Sequence, residues 1–134
     1  MNMFTHKLGL TFLFSFLVWL GATMFFVLFG DLVLVDPSKD NFLGTFLLLE
    51  AATAIVLYVV LLIYKKLDKS PYASIKLGIW GSAIGLFIDT FSVWNHSIVF
   101  PKLSEDQVIA FTIWMVCAYA MYLIIPLGLS NKKE

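Results

Sequence analysis

The chain has 134 residues, of which 60% are hydrophobic and only 13% are charged. Soluble domains are about 45–50% apolar and about 25% charged, so this composition excludes an ordinary soluble domain. Nine basic and nine acidic residues give a net charge of zero, which excludes the basic surface that nucleic-acid binding requires. We therefore expect an integral membrane protein whose partners are the lipid bilayer and other membrane helices.

Four segments are long and apolar enough to cross a bilayer, since a membrane-spanning helix needs about 20 apolar residues. We predict helices over residues 8–30, 41–64, 72–96 and 105–129. The first is too long for a cleaved signal peptide, whose apolar core has about 7–15 residues. The connections are short, so residues 1–134 are expected to form one domain, an all-α, up-down four-helix transmembrane bundle in which sequential helices are neighbours.

The connections carry helix start and stop signals. Pro37 breaks the chain after the first helix, and Ser70 followed by Pro71 is typical of a helix N-cap with proline at the first helical position. Ser104 and Gln107 match a capping box at the start of the fourth helix. We also expect Pro126 to loosen the last turns of that helix, because it removes one backbone hydrogen bond.

Lysine positions predict the orientation, because cytoplasmic loops of membrane proteins are enriched in basic residues. Two lysines, Lys39 and Lys102, fall on one side of the predicted spans. Seven fall on the other, at Lys7, Lys65, Lys66, Lys69, Lys76, Lys132 and Lys133. This asymmetry predicts that both termini and the middle loop are cytoplasmic, with Tyr64 and Tyr72 at the inner interface and Trp94 at the outer one.

Two carboxylates within the predicted spans are the strongest candidates for a functional role. At 1.5 Å per residue, Glu50 lies about 4–5 Å and Asp89 about 7–8 Å outward of the span midpoints. No lysine, arginine or histidine lies at that depth. An ionised carboxylate in a membrane is costly unless it is compensated. We therefore expect each acid to be protonated, hydrogen-bonded or neutralised by a cation or a contacting helix.

Small residues form two stripes on the third helix. Gly81, Gly85 and Asp89 repeat every four residues, and Gly78 and Ser82 belong to an adjacent stripe. Small residues at this spacing allow another helix to approach closely. The pattern predicts that the third helix is central to the bundle or lies at an oligomer seam.

Aromatic residues accompany the two acids within the spans. Trp19, Trp114 and Tyr119 are candidates for an aromatic wall, and Trp114 lies near the depth of the carboxylates. Such a wall beside a carboxylate suits a lipophilic cation, although aromatic side chains in membrane bundles also serve packing and lipid contact.

Catalytic, metal and cofactor chemistry have little basis in the sequence. The single cysteine, Cys117, cannot form an intrachain disulfide. The acids and His96 show no metal-ligand spacing, and the topology places the other histidine, His6, on the opposite side of the membrane. No nucleophile shares one depth with a base. We therefore expect no metal, no cofactor and no enzymatic activity.

The second half of the chain resembles an uncharacterised bacterial family of small four-helix integral membrane proteins, through three short motifs: Gly85-Leu86-Phe87-Ile88-Asp89, Val99-Phe100-Pro101 and Ala118-Tyr119-Ala120. The resemblance covers roughly residues 78–128. It implies the four-helix fold and a bacterial inner (plasma) membrane location, but no activity. The family has a basic residue just before the Phe-Gly that ends its first helix. Here Val27-Leu28 precedes Phe29-Gly30, so that position cannot pair with Asp89.

Two functions fit these features. The first is a non-catalytic accessory subunit of a larger membrane complex, in which Glu50 and Asp89 bond to a partner helix. The alternative is a homodimeric transporter or channel for a small solute or cation that uses the same two carboxylates. The first is favoured by the short loops and the absence of ligand motifs, and the second by unpaired acids near aromatic residues.

Overall fold

The structure is a computed structural model that describes residues 7–70 and 72–130. Its helices are α1 (Leu8–Val33), α2 (Phe42–Leu67), α3 (Ala73–Trp94), the short α4 (His96–Val99) and α5 (Glu105–Ser130). No strand occurs in these two ranges. Four of the helices are long and apolar enough to cross a membrane, which confirms the predicted all-helical, four-span fold. The orientation of the termini stays a prediction, and Pro71, Lys132 and Lys133 lie outside the described residues.

Capping at the start of α5 also fixes the end of α1. The Ser104 hydroxyl accepts a hydrogen bond from the Gln107 backbone N–H at 3.2 Å, and the Gln107 side chain accepts one from the Ser104 N–H at 3.0 Å. This is the predicted capping box. The Gln107 amide also donates to the carbonyls of Asp31 and Leu34, each at 3.1 Å. These carbonyls belong to the end of α1, where a helix lacks internal partners.

The prediction that Ser70 caps the third helix is wrong. The helix begins at Ala73, and the Ser70 hydroxyl donates to the Asp68 carboxylate at 2.6 Å instead. The Ser70 backbone N–H donates to the same carboxylate at 3.1 Å. Serine and a carboxylate two residues before it form a local turn of their own, which competes with helix capping.

Helix α3 lies at the centre of the packing. It contacts α5 and α1 along much of its length, whereas α2 packs mainly on α5. The backbones of α1 and α2 make little direct contact, and these two helices meet through side chains, as in the edge-to-face contact of Phe14 with Tyr64. Two apolar clusters fill the interior, one around Phe26 and Phe111 and the other around Leu61 and Leu77.

The close approach of α3 and α5 depends on glycine. A Cβ atom at Gly81 would collide with the hydroxyl of Tyr122, and one at Gly85 would collide with the hydroxyl of Tyr119. A Cβ at Gly78 would lie 2.6 Å from the Tyr122 carbonyl oxygen. Because α5 of the same chain covers this face, the alternative that these glycines form an oligomer seam is wrong. Ser82 is buried on α3, and its hydroxyl has no hydrogen-bond partner in the described part of the chain.

Candidate functional site

A cleft of about 530 Å³ separates α1 from α2. Its rim is formed by exposed residues of the two helices, Leu17, Gly21 and Phe25 on α1 and Ala52 and Val56 on α2. At the cleft, the backbone of α1 packs on α3 and that of α2 packs on α5, so the backbones of α1 and α2 stay apart. Its rim residues lie in helices that are long and apolar enough to span a membrane.

The floor of the cleft is formed by α3 and α5. Asp89 and Gly81 contribute from α3, and Trp114, Tyr119 and Tyr122 contribute from α5. Apolar side chains make up most of the remaining wall, and the ring of Phe26 packs against Trp114 at a tilt of 55°, with 4.6 Å between the ring centroids. The cleft therefore combines mostly apolar walls with one acidic residue, Asp89.

Asp89 is held by hydrogen bonds from two other helices. The Trp19 indole N–H donates to Oδ1 at 2.8 Å, and the Tyr119 hydroxyl donates to Oδ2 at 2.7 Å. The residue is only 4% exposed. Each carboxyl oxygen therefore takes part in one hydrogen bond, and the indole N–H can act only as a donor.

Trp114 has a different role from Trp19 and Tyr119, although the sequence places all three in one candidate aromatic wall. Its indole N–H donates to the Thr53 hydroxyl at 3.0 Å, which links α5 to α2. The Thr53 hydroxyl in turn donates to the Leu49 carbonyl at 2.8 Å. Trp114 therefore shapes the wall of the cleft without bonding to Asp89.

Glu50 lies apart from this arrangement. It is 6% exposed, and neither of its carboxyl oxygens has a hydrogen-bond partner within residues 7–70 and 72–130. The Cys117 thiol of α5 is its polar neighbour, without a hydrogen bond of good geometry between them. Glu50 does not line the cleft. The two acids share a depth in the sequence-based prediction, but Asp89 has its own donors, and Glu50 is not among its hydrogen-bond partners.

A second buried polar cluster, at the end where α2 meets α3, was missed by sequence reasoning. Lys76 forms an ion pair with Asp68 at 2.6 Å, and both side chains are almost fully buried. The Tyr64 hydroxyl donates to Asp68 at 2.7 Å and lies 2.7 Å from the Thr11 hydroxyl. Burial alone would raise the pKa of Asp68, but hydrogen bonds from Lys76, Ser70 and Tyr64 hold it well below its usual range.

This cluster corrects one prediction. Tyr64 is not an interfacial belt residue, since it is fully buried and hydrogen-bonded. Lys76, which is counted among the lysines of the predicted cytoplasmic side, forms its ion pair with Asp68 in a buried position. The available signal was the spacing of Tyr64 and Asp68, which lie four residues apart and therefore on one face of the chain as a helix ends.

Within residues 7–70 and 72–130, no group of three or more His, Cys, Asp and Glu side chains converges as a metal site would require. The cleft offers one carboxylate, hydrogen-bonding aromatic side chains and apolar walls. These groups can bind and orient a solute.

Comparison with known proteins finds one informative relative. The uncharacterised protein YnzE of Bacillus subtilis is 63% identical over 101 residues, which are 75% of this chain and 100% of that protein. No family model matches the chain, and no solved structure matches it. The predicted membership of an uncharacterised bacterial family is confirmed at this level.

Proposed function

The chain belongs to the same bacterial family as the uncharacterised protein YnzE, and we propose that it is a small solute-binding membrane carrier of the bacterial inner membrane. It is a multi-pass, non-enzymatic protein in this proposal. The solute enters from the bilayer between α1 and α2 and is held in the cleft. Because four helices alone enclose no complete pathway, the carrier would act as a homodimer or larger oligomer.

A single observation supports this proposal, namely that the cleft between α1 and α2 reaches the buried carboxylate of Asp89. Its volume of about 530 Å³ lies in the range of sites for small molecules, which is about 300–1,000 Å³. Such sites combine apolar walls with a few fixed polar groups. Here Trp19 and Tyr119 fix the carboxylate, so the polar group is already oriented without a solute.

Native mass spectrometry of the tagged protein, purified from its own membranes in mild detergent, tests this proposal. We expect a small-molecule adduct on the wild type and its loss in Gly21→Leu. Gly21 lines the cleft, and a Cβ there would meet nothing within 4 Å, so leucine is the substitution chosen to narrow the opening. Gly44→Leu is the matched control, because Gly44 also has open space but does not line the cleft. Equal adducts in all three proteins, or none in the wild type, would contradict the proposal.

Glu50 favours a second candidate, the accessory subunit of a larger membrane complex. A buried carboxyl group without a hydrogen-bond partner in the described residues is costly, and a polar side chain of a partner helix could compensate it. The native mass of the extracted complex and its co-purifying proteins decide this point. A defined partner that is lost in Glu50→Gln and retained in Asp89→Asn supports the accessory subunit. A homodimer without a stoichiometric partner contradicts it.

A further inference from the structure

The charge distribution around the cleft identifies the kind of solute it fits. We infer that the cleft binds a lipophilic organic cation, with the carboxylate of Asp89 as its counter-ion. This inference rests on the proposed function and narrows it from any lipophilic solute to one that carries a positive charge.

Asp89 has no protein counter-ion among the residues that the structure describes. Within residues 7–70 and 72–130, Asp89 makes hydrogen bonds to Trp19 and Tyr119 but no ion pair. The buried lysine of the bundle, Lys76, is paired with Asp68 instead. A charged carboxylate at membrane depth needs a compensating partner, and buried charges in proteins are normally paired.

Both carboxyl oxygens of Asp89 accept a hydrogen bond from a neutral donor, one at 2.8 Å and one at 2.7 Å. Hydrogen bonds donated to a carboxylate stabilise its charge, so these two bonds reduce the cost of a negative charge at this buried position. A carboxylate has about four acceptor positions, so two remain for a ligand. An ammonium group could donate to one of them, and a quaternary cation could pair with the charge alone.

The walls of the cleft are mostly apolar and include aromatic side chains. The cleft places Trp114 and Phe26 beside the same space as Asp89, and most of its surface is apolar. An inorganic cation would need several oxygen ligands, which the cleft does not bring together in the described residues. An organic cation instead gains from burial of its apolar groups and from attraction to aromatic faces.

The test uses two probes of the same shape and opposite charge, tetraphenylphosphonium and tetraphenylborate. Binding of each labelled ion to the full-length protein in mild detergent is measured by equilibrium dialysis, and binding to protein-free micelles is subtracted. We expect saturable binding of the phosphonium and none of the borate. Asp89→Asn should weaken phosphonium binding at least about tenfold, equivalent to about 1.4 kcal/mol. Glu50→Gln is the matched control, because it neutralises a membrane carboxylate outside the cleft and should leave affinity unchanged.

Gly21→Leu keeps the inference testable if Asp89→Asn does not fold. It leaves Asp89 intact and should abolish phosphonium binding, while Gly44→Leu should bind as the wild type does. Equal binding of phosphonium and borate, both lost in Gly21→Leu, would overturn the cation inference and leave the solute-binding proposal standing. Loss of binding in Glu50→Gln to the same extent as in Asp89→Asn would also overturn it. Absence of saturable binding of either ion would overturn the cation inference, and the adduct measurement on the wild type would then decide the proposed function separately.

Discussion

Removal of the Lys76 side-chain charge should destabilise the bundle more than removal of any other lysine that the structure describes on the same side. The ion pair with Asp68 is 2.6 Å long, and its side chains are 1% and 0% exposed. Loss of one partner of a buried pair typically costs about 3–5 kcal/mol, because the other charge stays buried without it. We therefore expect Lys76→Met and Asp68→Asn each to lower the free energy of unfolding by about 3–5 kcal/mol.

The double variant separates the pair from its members. In Lys76→Met with Asp68→Asn both charges are gone, so neither charge is left buried without its partner. Its cost should therefore be smaller than the sum of the two single costs, by about 1–3 kcal/mol. Lys66→Met is the control, since Lys66 is exposed and should change stability by less than about 0.5 kcal/mol.

Unfolding in sodium dodecyl sulfate, followed by circular dichroism in mixed micelles, provides the measurement. Equal stability of Lys76→Met and Lys66→Met would contradict the prediction, because it would mean that the buried ion pair does not add to the free energy of unfolding. Strict additivity in the double variant would refute the coupling between Lys76 and Asp68.

Three further predictions concern the same fold. Gly85→Ala should cost about 1–3 kcal/mol in the same unfolding assay, because its Cβ would collide with the Tyr119 hydroxyl, whereas Gly128→Ala, with open space around it, should not destabilise the protein. Ser104→Ala should cost about 1 kcal/mol through loss of the capping box, and Ser104→Thr should retain most of the stability; equal losses in both would argue against the capping role. Because the pKa of Asp68 is lowered in the folded protein, its stabilising effect is complete at pH values above the ordinary aspartate pKa of about 3.9 and is lost as pH falls from there toward the lowered pKa. A pH titration of wild-type unfolding should show this acid-side loss, and Asp68→Asn should lack it.

Much of the fold could be predicted from the sequence, because hydrophobic length alone defines spans in a bilayer. The four apolar helices and the capping box at Ser104 follow from local rules. The cleft between α1 and α2 does not follow from local rules, because it depends on the packing of α1 against α3 and of α2 against α5. Short loops favour neighbouring helices but do not fix which helices share the closest contact.

In the candidate site, too, the residues could be predicted from the sequence but the contacts between helices could not. Asp89 is recognisable from its depth, and Trp19 and Tyr119 from their aromatic character. Their direct hydrogen bonds to Asp89 join α1, α3 and α5, which no spacing within one helix could reveal. The pairing of Lys76 with Asp68 was hidden for a different reason. The positive-inside rule uses only the number of lysines near the span ends. It does not distinguish an exposed lysine from one that forms a buried ion pair, as Lys76 does.

A crystal structure of the protein, grown in a lipidic mesophase after purification without removal of bound small molecules, would show whether a solute occupies the cleft between α1 and α2. We expect non-protein density between Gly21 and Val56 that reaches the Asp89 carboxylate, with Trp19 and Tyr119 still bonded to it. Direct packing of α1 against α2 along the cleft, with the space closed and Asp89 sealed from it, would contradict solute binding at this site.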